Sequence, residues 1–179
     1  MSTLTLTPVL GHLDLLAMPV VTALASLPAE SAAQIEVAPV DPALAETAAF
    51  CAEYDQPLDA SANCLVVAGT RGDVTTFAAC VVLATTRADV NGTVRRLLGA
   101  KKASFAPMND AVAMSGMEFG GITPLGLPEE WRLFVDARVA VLPRIIIGAG
   151  IRGAKLFLPG RVLAELPHAE VIEGLATPL

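Results

Sequence analysis

The sequence predicts an α+β fold, a single domain over residues 1–179 in which a curved, barrel-like mixed β-sheet is surrounded by helices. Three observations predict it. Helical and strand-like patterns alternate along the whole chain, without repeats, low-complexity tracts or a linker-like boundary. A chain of 179 residues suits one domain and buries roughly two-thirds of its unfolded surface. The hydrophobic fraction of 54% rests on Ala and Val, with aromatics at only 4%, which describes an aliphatic core.

The elements follow in order. Leu15 to Ala25 reads as a short helix entered through Pro19; it lacks the basic leader of a signal peptide, and no apolar run reaches the roughly 18 residues of a membrane span. Gln34 to Val40 alternates as a strand. Asp41-Pro42 then opens a helix, with Asp as N-cap, that runs to Tyr54 and buries Leu44, Ala48, Cys51 and Ala52. Cys64–Ala68 and Thr75–Thr85 are β-rich runs joined as a hairpin through Gly69–Asp73. A helix over Asn91–Leu98 stops at Gly99, where a left-handed cap is common. Lys102–Ala106 is a strand, Pro107 opens another helix, and strands recur at Leu133–Asp136, Arg144–Gly148 and Ala154–Leu158. Pro159 starts a helix through Leu166, and Glu170–Glu173 closes the chain as a strand.

The chemistry is concentrated in the loop Ser115–Leu127, which packs Gly116, Gly120, Gly121, Pro124 and Gly126 into thirteen residues. Glycine permits positive φ and close backbone approach, and proline fixes φ, so the segment is a stiff loop whose amides can face a ligand. Gly116-x-x-x-Gly120-Gly121-x-x-Pro124-x-Gly126 is followed by Phe134-Val135-Asp136 and by Gly148-Ala-Gly150-Ile-Arg-Gly153-Ala154. Together with the strand at Cys64–Ala68 and Leu98-Gly99-x-Lys101-Lys102, these segments closely resemble the YbaK/EbsC family, whose members hydrolyse mischarged aminoacyl-tRNA. The resemblance is strongest over 63–166, weaker over 41–62 and absent from 1–40, an N-terminal extension.

The resemblance implies a YbaK-like fold and an aminoacyl-tRNA deacylase without cofactor or metal, acting in trans on the ester of a mischarged tRNA. The amides of Gly120, Gly121 and Ile122 would stabilise the oxyanion. Asn63, Thr123, Pro124, Asp136, Gly148 and Gly150 would bind the substrate, whose own ribose hydroxyl helps to activate water. A Cβ at Gly121 would crowd that substrate. Asp136 reads equally as a loop-capping carboxylate. One departure matters: active members carry a lysine where this chain has Asn63. Asn offers a neutral amide where lysine offers charge, so a second class stays open, a non-catalytic module that binds aminoacyl-tRNA or a synthetase. Lys101 and Lys155 are the lysines that could reach the site instead.

Charge distribution suits the RNA partner. The net charge is −6, yet residues 1–70 hold eight acids and no Lys or Arg, whereas residues 71–179 hold twelve bases and ten acids. Arg95, Arg96, Lys101 and Lys102 fall within eight residues and form the expected tRNA-binding surface, suited to an acceptor end rather than to DNA or a membrane. Other chemistries fare poorly. Gly148-x-Gly150-x-x-Gly153 spells a dinucleotide motif, but the residues after it alternate as a strand where that motif needs a helix. His12 and His168 have no metal-ligand neighbours, and no histidine pairs in sequence with Cys64 or Cys80. Three widely spaced cysteines, Cys51, Cys64 and Cys80, read as reduced thiols of a cytoplasmic protein.

Overall fold

The structure, a computed structural model, describes residues 2–179. In chain order its strands are β1 (Thr7–Pro8), β2 (Glu36–Pro39), β3 (Ala62–Arg71), β4 (Val74–Leu83), β5 (Thr86–Ala88), β6 (Lys102–Phe105), β7 (Arg132–Asp136), β8 (Ile145–Gly148), β9 (Ala154–Leu158), β10 (Ala169–Ile172) and β11 (Ala176–Pro178). Its helices are α1 (Met18–Ser26), α2 (Ala29–Ala32), α3 (Thr47–Tyr54), α4 (Arg95–Leu97), α5 (Met108–Ser115), α6 (Ala137–Ala140) and α7 (Gly160–Ala164).

Two sheets carry the fold. A mixed five-stranded sheet runs β10-β7-β4-β3-β6, with β7 parallel to both β4 and β10. An antiparallel four-stranded sheet runs β1-β2-β9-β8. The isolated bridge Ser61–Ile146 links the two, so the barrel-like curvature stops short of closure. Side chains alternate across a strand, and here both faces are covered. Ala79, Val81 and Leu83 of β4 enter the main core with Leu133, Val135, Ile147 and Leu156. Ala78, Cys80 and Val82 enter a second cluster with Phe134, Val94 and Leu175. Burial on both faces explains why β4 and β8 read as continuous apolar runs.

Most expected elements are present; the strand expected to close the chain is β10, which β11 follows, and three further differences stand out. The helix foreseen from Asp41 to Tyr54 is interrupted: a 3-10 turn over Pro42–Leu44, capped by Asp41, ends before α3 restarts behind Glu46. The restart rotates the buried face onto Phe50, Cys51 and Tyr54, leaving Ala48 and Ala52 exposed. The hairpin between β3 and β4 is tighter than its glycine content suggested, because Arg71 pairs with Val74 around Gly72-Asp73 alone. Gly72 takes the positive φ of 61° that such a two-residue turn demands. Finally, the N-terminal segment is no appendage. Its strand β2 lies between β1 and β9, and Val9, Val20, Ile35 and Val37 are fully buried.

Candidate active site

One open cleft of about 440 Å³ gathers most of the chemistry. Its walls come from four places: the start of α3 (Ala45–Thr47), the first half of β3 (Ala62–Val66), the Gly120–Ile122 loop, and Gly148 with Lys155 beneath. The end of β6 and the start of α5 form its rim.

Asn63 sits in this wall, half-buried, and its Oδ1 accepts a 2.7 Å hydrogen bond from the Thr47 hydroxyl. That bond fixes the amide and leaves its Nδ2 hydrogens without an acceptor among the described residues. Thr47 is in position because Glu46 caps α3, its carboxylate accepting from the N–H groups of Ala48 and Ala49.

Of the two lysines offered by the sequence, Lys155 lines the cleft and Lys101 does not. Its side chain enters from β9, is 6% exposed, and donates from Nζ to the Ala45 carbonyl at 2.8 Å. The ammonium lies 5.4 Å from the centroid of the Phe50 ring. No carboxylate pairs with it among the described residues. Burial lowers its pKa from the ordinary 10.5, partly countered by Cys51 and Glu46. A buried ammonium with one hydrogen-bond acceptor for three hydrogens is poorly compensated.

The two glycine-rich segments interlock through their backbones. Gly150 N donates to Gly121 O at 2.8 Å, Glu118 N to Gly150 O at 2.8 Å, and Arg152 N to the Glu118 carboxylate at 2.7 Å. A Cβ on Gly121 would lie 2.6 Å from the carbonyl carbon of Ile151. The glycine is therefore needed for backbone contact with the second segment, and not, as expected, to keep the substrate's space open. Gly121 N is also spent, donating to Glu118 O at 2.9 Å. Gly120 and Ile122 differ: both line the cleft, and their N–H groups meet no acceptor among the described residues. Gly120 holds a positive φ of 81°.

The remaining sequence candidates separate cleanly. Gly148 lines the cleft, while Gly150 is packed against Ala17 and Val20 behind it. Thr123 is fully buried with its hydroxyl unpartnered, and Pro124 lines a second cavity of about 400 Å³ with Trp131 and Leu127. Asp136 does not face the cleft. It caps α6 through Arg138 N, pairs with the Arg138 guanidinium at 2.9 Å and accepts from Ala176 N at 3.1 Å. Cys64 reaches the cleft wall, but burial and then the neighbouring Cys80 push its thiol pKa up. A thiol so shifted supplies no thiolate at neutral pH. Arg95, Lys101 and Lys102 line one shallow depression, whereas Arg96 lies outside it, near Thr93.

Residues 41–166 match the family model of the aminoacyl-tRNA editing domain. The chain belongs to the aminoacyl-tRNA editing domain family. No curated protein matches it by sequence. Several solved structures share the fold of this editing domain. A candidate trans-editing enzyme for prolyl-tRNA synthetase superposes with a TM-score of 0.71 at 18% identity, covering 88% of this chain and 94% of the other. A scaffold protein from computational epitope grafting gives 0.71 at 20% identity, covering 88% and 95%. A hypothetical protein gives 0.66 at 23% identity, covering 78% and 86%.

Several cleft residues of this editing domain escaped the sequence reading. Thr47 and Glu46 lie 16 and more positions before Asn63 and carry no motif of their own. Phe105, Met108 and Phe119 line the mouth as exposed apolar side chains, and isolated apolar residues in a sequence read as core. Lys155 did not escape that reading, and its signal is plain: a lysine at the second position of an otherwise apolar strand, Ala154–Leu158.

Proposed function

We propose that this chain is an aminoacyl-tRNA deacylase whose reaction takes place in the cleft between α3, β3 and the Gly120 loop. Family membership supports the substrate class, and one observation carries the assignment of the site. The unpaired ammonium of Lys155, the anchored amide of Asn63 and the two unspent amides of Gly120 and Ile122 line the same cavity. Water attacks the ester carbonyl carbon and the carbonyl oxygen takes up negative charge. Collapse then breaks the bond to the ribose oxygen, which leaves with a proton as a hydroxyl, giving free amino acid and uncharged tRNA. Donors fixed before the reaction stabilise that oxyanion most effectively in a site with little water. Among the cleft residues only Lys155 brings positive charge, so it takes the electrostatic part while Asn63 orients the ester. The cleft volume and its lining of Cys64, Val66 and Ile122 suit small esters such as those of Ala, Ser, Thr or Pro.

One observation favours a second reading, a module that binds charged tRNA without turnover: a neutral amide stands at position 63. A deacylation panel of tRNAs charged with Ala, Ser, Thr, Cys and Pro separates the two. The enzyme reading expects hydrolysis of at least one ester well above the buffer rate. A protein that binds charged tRNA and leaves every ester at background establishes the binding module instead.

A further inference from the structure

Three large apolar side chains crowd the mouth of the cleft without covering one another from solvent. Phe105 is 57% exposed, Phe119 54% and Met108 50%. They come from three separate segments, the end of β6, the start of α5 and the glycine-rich loop. Scattered exposed apolar residues are ordinary, but a group gathered at one opening marks a surface that something covers.

The strand that carries Phe105 also indicates the occupant. Strand β6 is the edge of the five-stranded sheet. Its last residue reaches the cleft mouth, and its first three, Lys102, Ala103 and Ser104, line the neighbouring depression with Arg95 and Lys101. Lys102 precedes Phe105 by three residues, about 10 Å along an extended strand, and alternation turns the two side chains to opposite faces of this edge strand. None of Arg95, Lys101 and Lys102 has a carboxylate partner among the described residues, whereas Arg132, Arg138, Arg144 and Arg161 are each paired. Unpaired cations and exposed aromatic rings reached along one sheet edge, with a polar pocket at its end, are the combination that recognises an unpaired nucleic-acid strand. Bases stack on the rings, and phosphates meet the Lys and Arg groups.

We infer that Phe105, Phe119 and Met108 form a clamp for the terminal nucleobase of an unpaired RNA 3′ end, and that β6 leads the preceding phosphates to Lys102, Lys101 and Arg95. The inference rests on the acceptor-end reading above and adds to it the surface that seats the last nucleotide. The clamp fixes the ribose at the cleft mouth and so presents its ester to Lys155 and Asn63.

Binding of an uncharged acceptor-stem RNA with an unpaired 3′ adenosine, compared with the same RNA carrying an abasic last nucleotide, tests this without requiring hydrolysis. The intact full-length protein should bind the abasic RNA about 5- to 100-fold more weakly, the range expected for stacking one base. The double variant Phe105→Ala, Phe119→Ala should bind both RNAs alike, at the weaker level. Lys102→Ala should weaken both together and lower the salt slope, keeping the difference between them. Equal binding of the two RNAs by the intact protein overturns the clamp and leaves acceptor-end binding standing. Binding of neither RNA overturns both. A protein that sediments as a dimer, becomes monomeric in the double variant and keeps its RNA affinity would assign the patch to a second copy and overturn the clamp.

Discussion

Asp136 and Lys155 are both buried charged residues on strands of the same domain, and their surroundings are opposite. Asp136 closes β7 with every lone pair engaged: the backbone and guanidinium of Arg138 on one side, the Ala176 N–H on the other. Lys155 has the Ala45 carbonyl, the edge of an open cleft, and no counter-ion among the described residues. A buried charge that is fully satisfied holds a structure together, and one left half-satisfied beside a cavity is the feature on which the proposed site rests. The sequence left Asp136 open between substrate binding and loop capping and offered Lys101 and Lys155 as lysines for the site; the geometry takes the capping role for Asp136 and places Lys155, not Lys101, in the cleft.

Exchange of the two roles by mutation is the strongest way to break this contrast. Lys155→Met keeps the length and apolar stem of the side chain and removes the charge. It should lower kcat for ester hydrolysis about 100- to 1000-fold, the cost of losing one oxyanion donor, with circular dichroism unchanged. Introducing Asn63→Lys into that variant should restore part of the rate, because position 63 lines the same cavity. Undiminished kcat in Lys155→Met would make the residue a packing element.

Asp136→Ala should do the reverse. It strands the Ala176 and Arg138 N–H groups and removes the cap of α6, a loss of about 2–3 kcal/mol. For a domain of this size that lowers Tm by about 5–10 °C, with kcat per folded molecule unchanged. A stable variant with lost activity would return Asp136 to the site.

Gly121→Ala sharpens the contrast within the glycine loop. Its Cβ meets the Ile151 backbone at 2.6 Å, so the two segments must separate, at a cost of about 1–3 kcal/mol in stability. Gly120→Ala meets chiefly the Arg152 guanidinium, 2.9 Å away at the end of a flexible side chain. Its strain comes from the positive φ and amounts to about 1 kcal/mol. Thermal melts of the two variants rank them, and a Gly121→Ala protein as stable as the wild type would refute the interlock.

How far the sequence anticipated these roles follows from what each depends on. Strands such as Leu133–Asp136 and Ala154–Leu158, and the caps at Asp41 and Gly99, are local matters of periodicity and φ, and they were legible. The restart of α3 was not, because Pro42 and Asp41 give a strong start signal and nothing in Ala45-Glu46-Thr47 says that it stops. The cleft was half legible. Asn63, Gly120, Ile122 and Gly148 belong to motifs and Lys155 pairs with Gly148 in the next strand, whereas Thr47 and Phe105 meet them only through contacts across more than a dozen residues. The N-terminal segment had no motif, yet its Val37 lies at the centre of the four-stranded sheet. Burial is a property of what folds against a residue, and that partner is distant in sequence.

The smallest expected effect separates the two charges by pH alone. Burial pushes the Asp136 carboxyl up, but its hydrogen bonds to Arg138 outweigh this and hold its pKa below the ordinary 3.8. The unfolded chain then binds the proton more tightly than the folded one, so the stability Asp136 contributes is present above about pH 4 and drains away as pH falls through the folded value. Lys155 is also lowered, by burial, from 10.5, and its consequence lies at the alkaline end. Well below its folded pKa both states are protonated and the folded state bears the whole cost of the buried charge. As pH rises through the folded value towards 10.5 the unfolded chain holds more protons than the folded one, and stability rises. Lys155→Met lacks this cost at every pH. In urea melts it should therefore exceed the wild type at the acidic end of the range, and the gap should narrow as pH rises towards the ordinary 10.5. Other alkaline titrations act on both proteins and cancel in the difference. A gap that stays constant or widens with pH would mean that the Lys155 ammonium is compensated in the folded protein, and the contrast with Asp136 would fall.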